Sequence, residues 1–255
     1  MLSILKRLFS GPAKPARVHS ARPILEGLEA RKVLSAATLN VASEIVNSPE
    51  NFADFVAGEY VRFLRRSPDV AGLNFFVTRM EQGLSPEAVE AAFVSSTEYI
   101  LDHGNNTRIW LTGLYNDLLG RTPDLAGFNN WLNNLAAGET PFQVAAGFAT
   151  SLERETIVIR EDYAGFLRRA PDINGLNHWL TLLQNDSSRA FVASAIIASN
   201  EFFQRNGNTN ANFVIAAFTD VLGRTPSTDE LALFLGQLGN GSRAPMSLSL
   251  SSSVG

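Results

Sequence analysis

The sequence predicts an all-α protein, a repeat of short helices in four units that form a stacked or closed helical array. A loop motif recurs along the chain, as FLRRSPDVAGLN from Phe63, LLGRTPDLAGFN from Leu118 and FLRRAPDINGLN from Phe166. Apolar residues on both sides of this loop follow the spacing of a helix rather than the alternation of a strand. A chain of 255 residues with 45% hydrophobic content is also long enough to bury a substantial core.

The first segment, residues 1–37, is basic and is predicted to be a disordered leader. Its first 35 residues hold seven Lys or Arg against two Glu, so the leader carries +5 and the remainder of the chain −9. Lys6 and Arg7 interrupt any apolar run that could span a membrane. An acidic body makes nucleic acid an improbable partner, because binding to phosphate backbones needs clustered Lys and Arg.

Residues 22–36, RPILEGLEARKVLSA, have a pattern of their own. This stretch resembles the Leu-Glu-x-Leu-Glu-x-Arg-x-Leu-Leu-Ser-Ala block near the start of many large exported surface proteins of planctomycete-type bacteria. The resemblance implies export. An amphipathic helix with charges at helical spacing is the alternative interpretation.

The repeat itself has a period of 103 residues. The loop prolines Pro68, Pro123, Pro171 and Pro226 are separated by 55, 48 and 55 residues, so alternate prolines are 103 apart in both cases. At this offset residues 60–128 align with 163–231 without a gap. The chain is therefore a tandem duplication, with two-unit blocks at 38–140 and 141–240.

Each unit opens with two helices joined by the loop. The first helix has apolar residues at i, i+3 and i+4, as in Tyr60, Phe63 and Leu64. We expect Ser67, Thr122 and Thr225 to be N-caps of the second helix, with Pro at its first position and Asp in its first turn. The second helix places an aromatic residue in the core, and this register predicts that Trp131 and Trp179 are equivalent core anchors.

A third helix closes each of the first three units. Ser85 and Thr140 are predicted N-caps with Pro next, and apolar residues follow at i and i+4. A Ser-x-Glu sequence comes after each of these helices. The same closing pattern occurs before unit one, around Val41 and Ile45, but not after unit four, where residues 241–255 form a Ser-rich tail that is predicted to be flexible.

The unmatched ends allow two arrangements. In one, the N-terminal closing half docks against unit four and closes the array. In the other, the array is open and the uncovered face of unit four binds a partner or a second copy, which would give self-association.

The string YNDLLGRTPDLAGFNNW, from Tyr115 to Trp131, is followed by Gly138, Thr140 and Val144. This pattern resembles the bacterial domain of unknown function 4214, over about residues 40–240, and is distantly similar to the helical linker domain of phycobilisomes. The resemblance implies an exported or cell-surface protein and supplies no catalytic residue. Unit four departs from the pattern with Ser227 in place of Asp and Glu230 in place of Gly.

The candidate interaction or structural residues lie at the corners between helices. They are Arg66, Arg121, Arg169 and Arg224, with Asp69, Asp124 and Asp172 three residues after the first three arginines. We interpret them as helix-end caps with a local ion pair, the alternative being an exposed arginine row that binds an anionic partner. The Ser-x-Glu carboxylates are equivalent by repeat, whereas acid–base catalysis needs carboxylates in unlike environments.

No catalytic residue, cofactor or metal ligand is predicted. The chain has no Cys, and neither His103 nor His178 belongs to a cluster of candidate ligands. The sequence favours a noncatalytic structural or interaction module of the bacterial cell envelope or extracellular space, whose partner is an unknown protein or an envelope polymer. The alternatives are an extracellular hydrolase acting on wall polysaccharide, which requires a cleft with two non-equivalent carboxylates, and a cytoplasmic helical scaffold.

Overall fold

The computed structural model describes residues 36–239, which form fourteen α-helices and no strand. Residues 1–35 of the predicted disordered leader, the motif at 22–36 except its last residue, and the tail at 241–255 lie outside the described residues. The last two leader residues, Ala36 and Ala37, were predicted to be disordered but begin the first helix. The helices are α1 (Ala36–Val46), α2 (Pro49–Leu64), α3 (Val70–Glu81), α4 (Pro86–Val94), α5 (Thr97–Asp102), α6 (Thr107–Leu119), α7 (Leu125–Ala136), α8 (Pro141–Ala149), α9 (Leu152–Asp162), α10 (Ile173–Gln184), α11 (Arg189–Ile197), α12 (Asn200–Arg205), α13 (Asn210–Leu222) and α14 (Thr228–Gly239). A π-helical turn, Tyr163–Leu167, continues α9.

The all-α repeat is confirmed, and its apolar faces form two hydrophobic cores. Core one contains buried residues between Val56 and Ala149. Core two contains buried residues between Ile159 and Phe234, together with those of α1. The predicted blocks at 38–140 and 141–240 therefore describe the sequence repeat, while the packing divides the chain elsewhere: α8 covers core one and α1 covers core two.

The closing helices are capped as predicted. Ser85 and Thr140 accept hydrogen bonds from the third backbone N–H of their helices, and Pro occupies the first turn of each. The serine of every Ser-x-Glu sequence is also an N-cap. These serines are Ser48, Ser96, Ser151 and Ser199, which begin α2, α5, α9 and α12.

The start of the second helix in each unit differs from the prediction. In units one to three the N-cap is the aspartate two residues after Ser67, Thr122 or Ala170, and the helix begins after the Pro-Asp pair. The predicted Ser and Thr caps were wrong because the aspartate carboxylate already accepts the free backbone N–H of the glycine three residues on. In unit four, Ser227 accepts from the backbone N–H of Glu230 at 3.3 Å, whereas Thr225 was predicted.

The two tryptophans predicted to be equivalent differ in burial. The Trp179 side chain is 1% exposed, and its indole N–H donates to the Tyr163 hydroxyl at 3.0 Å. Trp131 is half-buried and packs on Phe148, with ring centroids 5.0 Å apart. The register is correct, but α7 has no fully buried residue, whereas α10 buries Gly175, Leu176 and Trp179.

The structure has the closed arrangement. The α1 helix packs against α11, α13 and α14, although it is joined directly to α2 of core one. Val41 and Ile45 are at most 1% exposed in core two. At the rim, the amide of Gln237 on α14 donates to the Glu44 carboxylate at 3.0 Å. The N-terminal helix therefore supplies the closing helix of unit four.

Candidate functional site: four corner arginines and a charged cavity between the cores

Each corner arginine lies between an aromatic ring and a glutamate. The guanidinium carbon of Arg66, two residues beyond the end of α2, is 4.9 Å from the centroid of the Tyr60 ring on that helix. Its Nε and Nη2 donate to the two carboxylate oxygens of Glu98 at 2.6 and 2.9 Å. The other corners repeat this arrangement with Arg121, Tyr115 and Glu153, with Arg169, Tyr163 and Glu201, and with Arg224, Phe218 and Glu50.

These pairs join successive units into a closed cycle. In the first three, the glutamate follows its arginine by 32 residues and belongs to the next Ser-x-Glu helix. In the fourth, Arg224 reaches Glu50, 174 residues earlier. The arginine donors lower the pKa of Glu50, Glu98 and Glu153 below its ordinary value. The predicted local pairing with aspartate is secondary: Arg121 lies 3.3 Å from Asp124, and Arg66 lies 3.9 Å from Asp69.

The aspartates Asp69, Asp124 and Asp172 cap helices at these corners. Each accepts the backbone N–H of a glycine at 2.8 Å. A Cβ at Gly72 would lie 2.1 Å from the Tyr60 hydroxyl, and a Cβ at Gly127 would lie 2.6 Å from the Tyr115 hydroxyl. These glycines therefore leave room for the tyrosine hydroxyl of the preceding helix.

Unit four forms the same corner between its helices with different residues. Phe218 has no hydroxyl, and Glu230 occupies the position of the glycine. The Glu230 carboxylate accepts from Arg224 at 2.8 Å and from the backbone N–H of Ser227 at 2.7 Å. These donors, Arg224 first, lower the pKa of Glu230 to about 2. The sequence departure in unit four thus preserves the corner, with a capping box in place of the aspartate cap.

A second group of charges lies at the boundary between the cores and does not follow the repeat. Glu90 on α4, whose side chain is 1% exposed, accepts from Arg154 on α9 at 2.5 Å and from Arg189 on α11 at 3.1 Å. Arg189 also donates to Glu155 at 3.0 and 3.1 Å and lies 3.0 Å from Glu87. We call these five residues the boundary cluster. They link α4 of core one to α9 and α11 beside core two.

The boundary cluster fixes the charge of Glu90. Burial by itself would raise the pKa of the Glu90 carboxyl, but the nearby charges and hydrogen bonds of Arg189 and Arg154 outweigh burial and lower it. Glu90 is therefore ionised, and each of its two carboxylate oxygens accepts a hydrogen bond from an arginine.

A cavity of about 340 Å³ lies beside the boundary cluster. Its lining includes apolar residues of α1, α2 and α9 and the charged residues Glu59, Glu90, Arg154, Asp162 and Arg189. Glu59 is 5% exposed, and its Oε2 has no hydrogen-bond partner among the described residues. Burial, reinforced by the charge of Glu90, raises the pKa of Glu59 to about 8. At neutral pH Glu59 therefore holds a proton, while the carboxylate of Glu90 in the same cavity is ionised.

Asp162 occupies the position equivalent to Glu59, 103 residues further along the chain. It is half-buried, and burial, with the charge of Glu161 adding, raises its pKa to about 7. The pseudo-twofold repeat thus places one carboxyl with a raised pKa on the last turn of α9 and another near the end of α2.

The two histidines stay apart from this site. His103 ends α5 and stacks on Tyr99 with ring centroids 4.1 Å apart, and His178 lies edge-on to Trp179. Within residues 36–239 no group of three or more His, Asp or Glu is placed to hold a metal ion. Over the same residues, no helix combines the length and the apolar character that crossing a bilayer requires.

The geometry defines a class of protein: a closed helical repeat whose units are joined by arginine–glutamate pairs. The family model described as domain of unknown function (DUF4214) matches four successive stretches, at residues 39–103, 91–158, 159–206 and 193–254. The chain therefore belongs to this family and carries four tandem copies of its domain. No curated protein and no solved structure matched the chain.

Sequence reasoning identified the corner residues but missed their principal partners and the whole boundary cluster. The constant separation of 32 residues between three arginines and three glutamates was a readable signal. For the cluster, the signal was a break in the repeat: Glu90 stands where the other closing helices have Ala145 and Ala193.

Proposed function

We propose that this chain is a noncatalytic structural or interaction module of the bacterial cell envelope or extracellular space. The observation that carries the proposal is that the recurrent charged side chains bind to one another instead of facing a common cleft. All four corner arginines are bonded to glutamates that join one unit to the next. Residues that recur in this way hold the array together, and the resulting helical surface is what a partner would meet.

The alternative is an extracellular hydrolase, which would need two carboxyl groups of unlike pKa in one cavity. Glu59 and Glu90 line one cavity and have pKa values displaced in opposite directions. A nucleophile or general base, however, needs a lone pair that faces the substrate. Both oxygens of Glu90 accept hydrogen bonds from Arg154 and Arg189, which supports the noncatalytic proposal.

Incubation of the protein with purified bacterial cell walls tests both functions in one experiment. We expect the protein to sediment with the walls without releasing new reducing ends. Release of reducing ends that is lost in the Glu59→Gln variant would establish the hydrolase instead. Failure to sediment, together with the absence of any envelope protein in a pulldown, would contradict the interaction module.

The proposed location has its own test. The resemblance of residues 22–36 to an export-associated block is the feature that suggests the envelope or the exterior. Fractionation of the source cells should find the protein with the envelope or in the medium. A protein found wholly in the cytosol would support the cytoplasmic scaffold.

A further inference from the structure

The helix α1 completes a core to which it is not directly connected. Two residues, Asn47 and Ser48, separate α1 from α2 of core one, but the apolar side of α1 packs into core two against α11, α13 and α14. Its buried apolar side chains are those of Leu39, Val41, Ala42, Ile45 and Val46. Core two is therefore incomplete without a helix delivered from the other end of the chain.

The groove that receives α1 is a copy of the groove that receives α8. Val41 and Ile45 correspond to Val144 and Phe148 at the 103-residue offset. The pairing of α1 with α11 likewise matches the pairing of α8 with α4. The contacts of α1 are those of any closing helix on any unit, so they are the same whether α1 comes from its own chain or from another copy.

The contact between the cores is poorly suited to holding them together permanently. It contains the buried charges of the boundary cluster, and ion pairs buried in this way contribute little net stability because desolvation offsets their attraction. Glu59 Oε2 and Arg154 Nη1 have no hydrogen-bond partner among the described residues, and the cavity lies between the same helices. A contact lined by charged groups and a cavity costs less to separate than a close-packed apolar contact of the same area.

We propose that α1 of one copy occupies the α11–α13–α14 groove of a second copy and joins the chains head to tail, with Glu50 of the first bonded to Arg224 of the second. The proposal rests on the proposed role as an interaction module and names a second copy of the chain as its partner. The surfaces that meet are different patches, so this contact is heterologous and closes into rings or extends into filaments.

The short link between α1 and α2 sets the balance between the closed monomer and the head-to-tail assembly. A short link gives α1 an effective concentration on the order of millimolar at its own groove, which favours the closed monomer in dilute solution. Exchange between copies then increases as the protein concentration approaches this value.

Cross-linking in the full-length chain tests the exchange, because the chain has no native Cys. Glu44 is exposed, Gln237 is half-buried, and the two are hydrogen-bonded across the rim of the groove. A Glu44→Cys chain and a Gln237→Cys chain are mixed at about 1 mM, comparable to the effective concentration of the tether, opened briefly with urea, returned to buffer and treated with a short bis-maleimide. We expect a cross-linked heterodimer whose yield rises with protein concentration.

The matched controls use the same reagent. Replacing the second chain by Thr78→Cys, at an exposed position on α3 of core one, should lower the heterodimer yield several-fold. Adding Ile45→Asp to the Glu44→Cys chain should abolish the heterodimer, because a carboxylate cannot enter the apolar groove. A double Glu44→Cys, Gln237→Cys chain that links within itself, while the mixture yields no more heterodimer than the Thr78→Cys control, overturns the exchange. Binding to cell walls in that case would leave the proposed function intact.

Discussion

Replacing Glu59 by Gln should stabilise the protein progressively as the pH rises. The carboxyl of Glu59 titrates near its ordinary value of 4.5 in the unfolded chain, but burial and the charge of Glu90 raise its pKa to about 8 in the folded protein. Between these values the folded state holds a proton that the unfolded state has released. The contribution of Glu59 to the free energy of unfolding therefore falls as the pH increases from 4.5 to 8.

The size of the effect follows from the two pKa values. One pH unit of differential protonation is worth about 1.4 kcal/mol, so the free energy of unfolding loses about 3 kcal/mol to Glu59 between pH 4.5 and pH 7. Gln has nearly the same shape and no titration, so the variant does not incur this loss. The difference in stability between variant and parent should grow by about 3 kcal/mol over this range and level off above pH 8.

Urea unfolding followed by tryptophan fluorescence measures this difference at a series of pH values. Glu81→Gln, at an exposed position at the end of α3, is the control for the same replacement made away from the cavity. Parallel stability curves for Glu59→Gln and the parent between pH 4.5 and pH 8 would refute the reasoning, because they would mean that Glu59 is not desolvated at the cavity.

Three further sets of substitutions test the corners, the cores and the boundary cluster, each by urea unfolding. Gly72→Ala should cost about 1–3 kcal/mol because its Cβ meets the Tyr60 hydroxyl, and Tyr60→Phe should recover part of that loss; equal costs in both backgrounds would rule out the hydroxyl as the cause. Trp179→Ala should cost about 3–5 kcal/mol and Trp131→Ala clearly less, since Trp131 is half-buried; the reverse order would contradict the packing. Glu90→Ala should cost about 3–5 kcal/mol by leaving two buried arginines without their shared carboxylate, and a neutral result would mean that water reaches them.

The features that the sequence predicted well are local ones that repeat. The apolar spacing of Val89 and Phe93 and the Ser-Pro start of α4 are properties of a single helix. Because the closing pattern occurs four times in the chain, the copies support one another even where individual residues differ. Closure could also be inferred, because the closing half around Val41 had no unit of its own to cover and unit four lacked one. Both conclusions rest on counting equivalent parts.

The features that were missed depend on contacts between distant segments. Arg66 and Glu98 were each interpreted within their own motif, and their pairing requires the path of the chain through two intervening helices, α3 and α4. The aspartate caps were missed for a local reason: Ser67 before Pro68 fits a common N-terminal pattern, and the competing acceptor two residues later decides the outcome.

The boundary cluster was beyond reach for a different reason. Arg154 and Arg189 correspond to Asn51 and Pro86 in the first block, so the repeat provides no template for their partners. The positions of these arginines depend on how the two cores pack against each other. The apolar spacing within each helix does not specify that packing.

Hydrogen exchange of the full-length protein tests the closed cycle most directly. The Ile45→Asp variant should release α1 from core two, and Asn40→Asp, on the exposed side of the same helix, is the matched control. The account predicts faster exchange in Ile45→Asp not only in α1 but also in α13 and α14, residues 210–239, with little change in the control. Faster exchange confined to α1 and the adjoining α2 would contradict the account, because it would place the N-terminal helix on unit one and leave unit four without its cover.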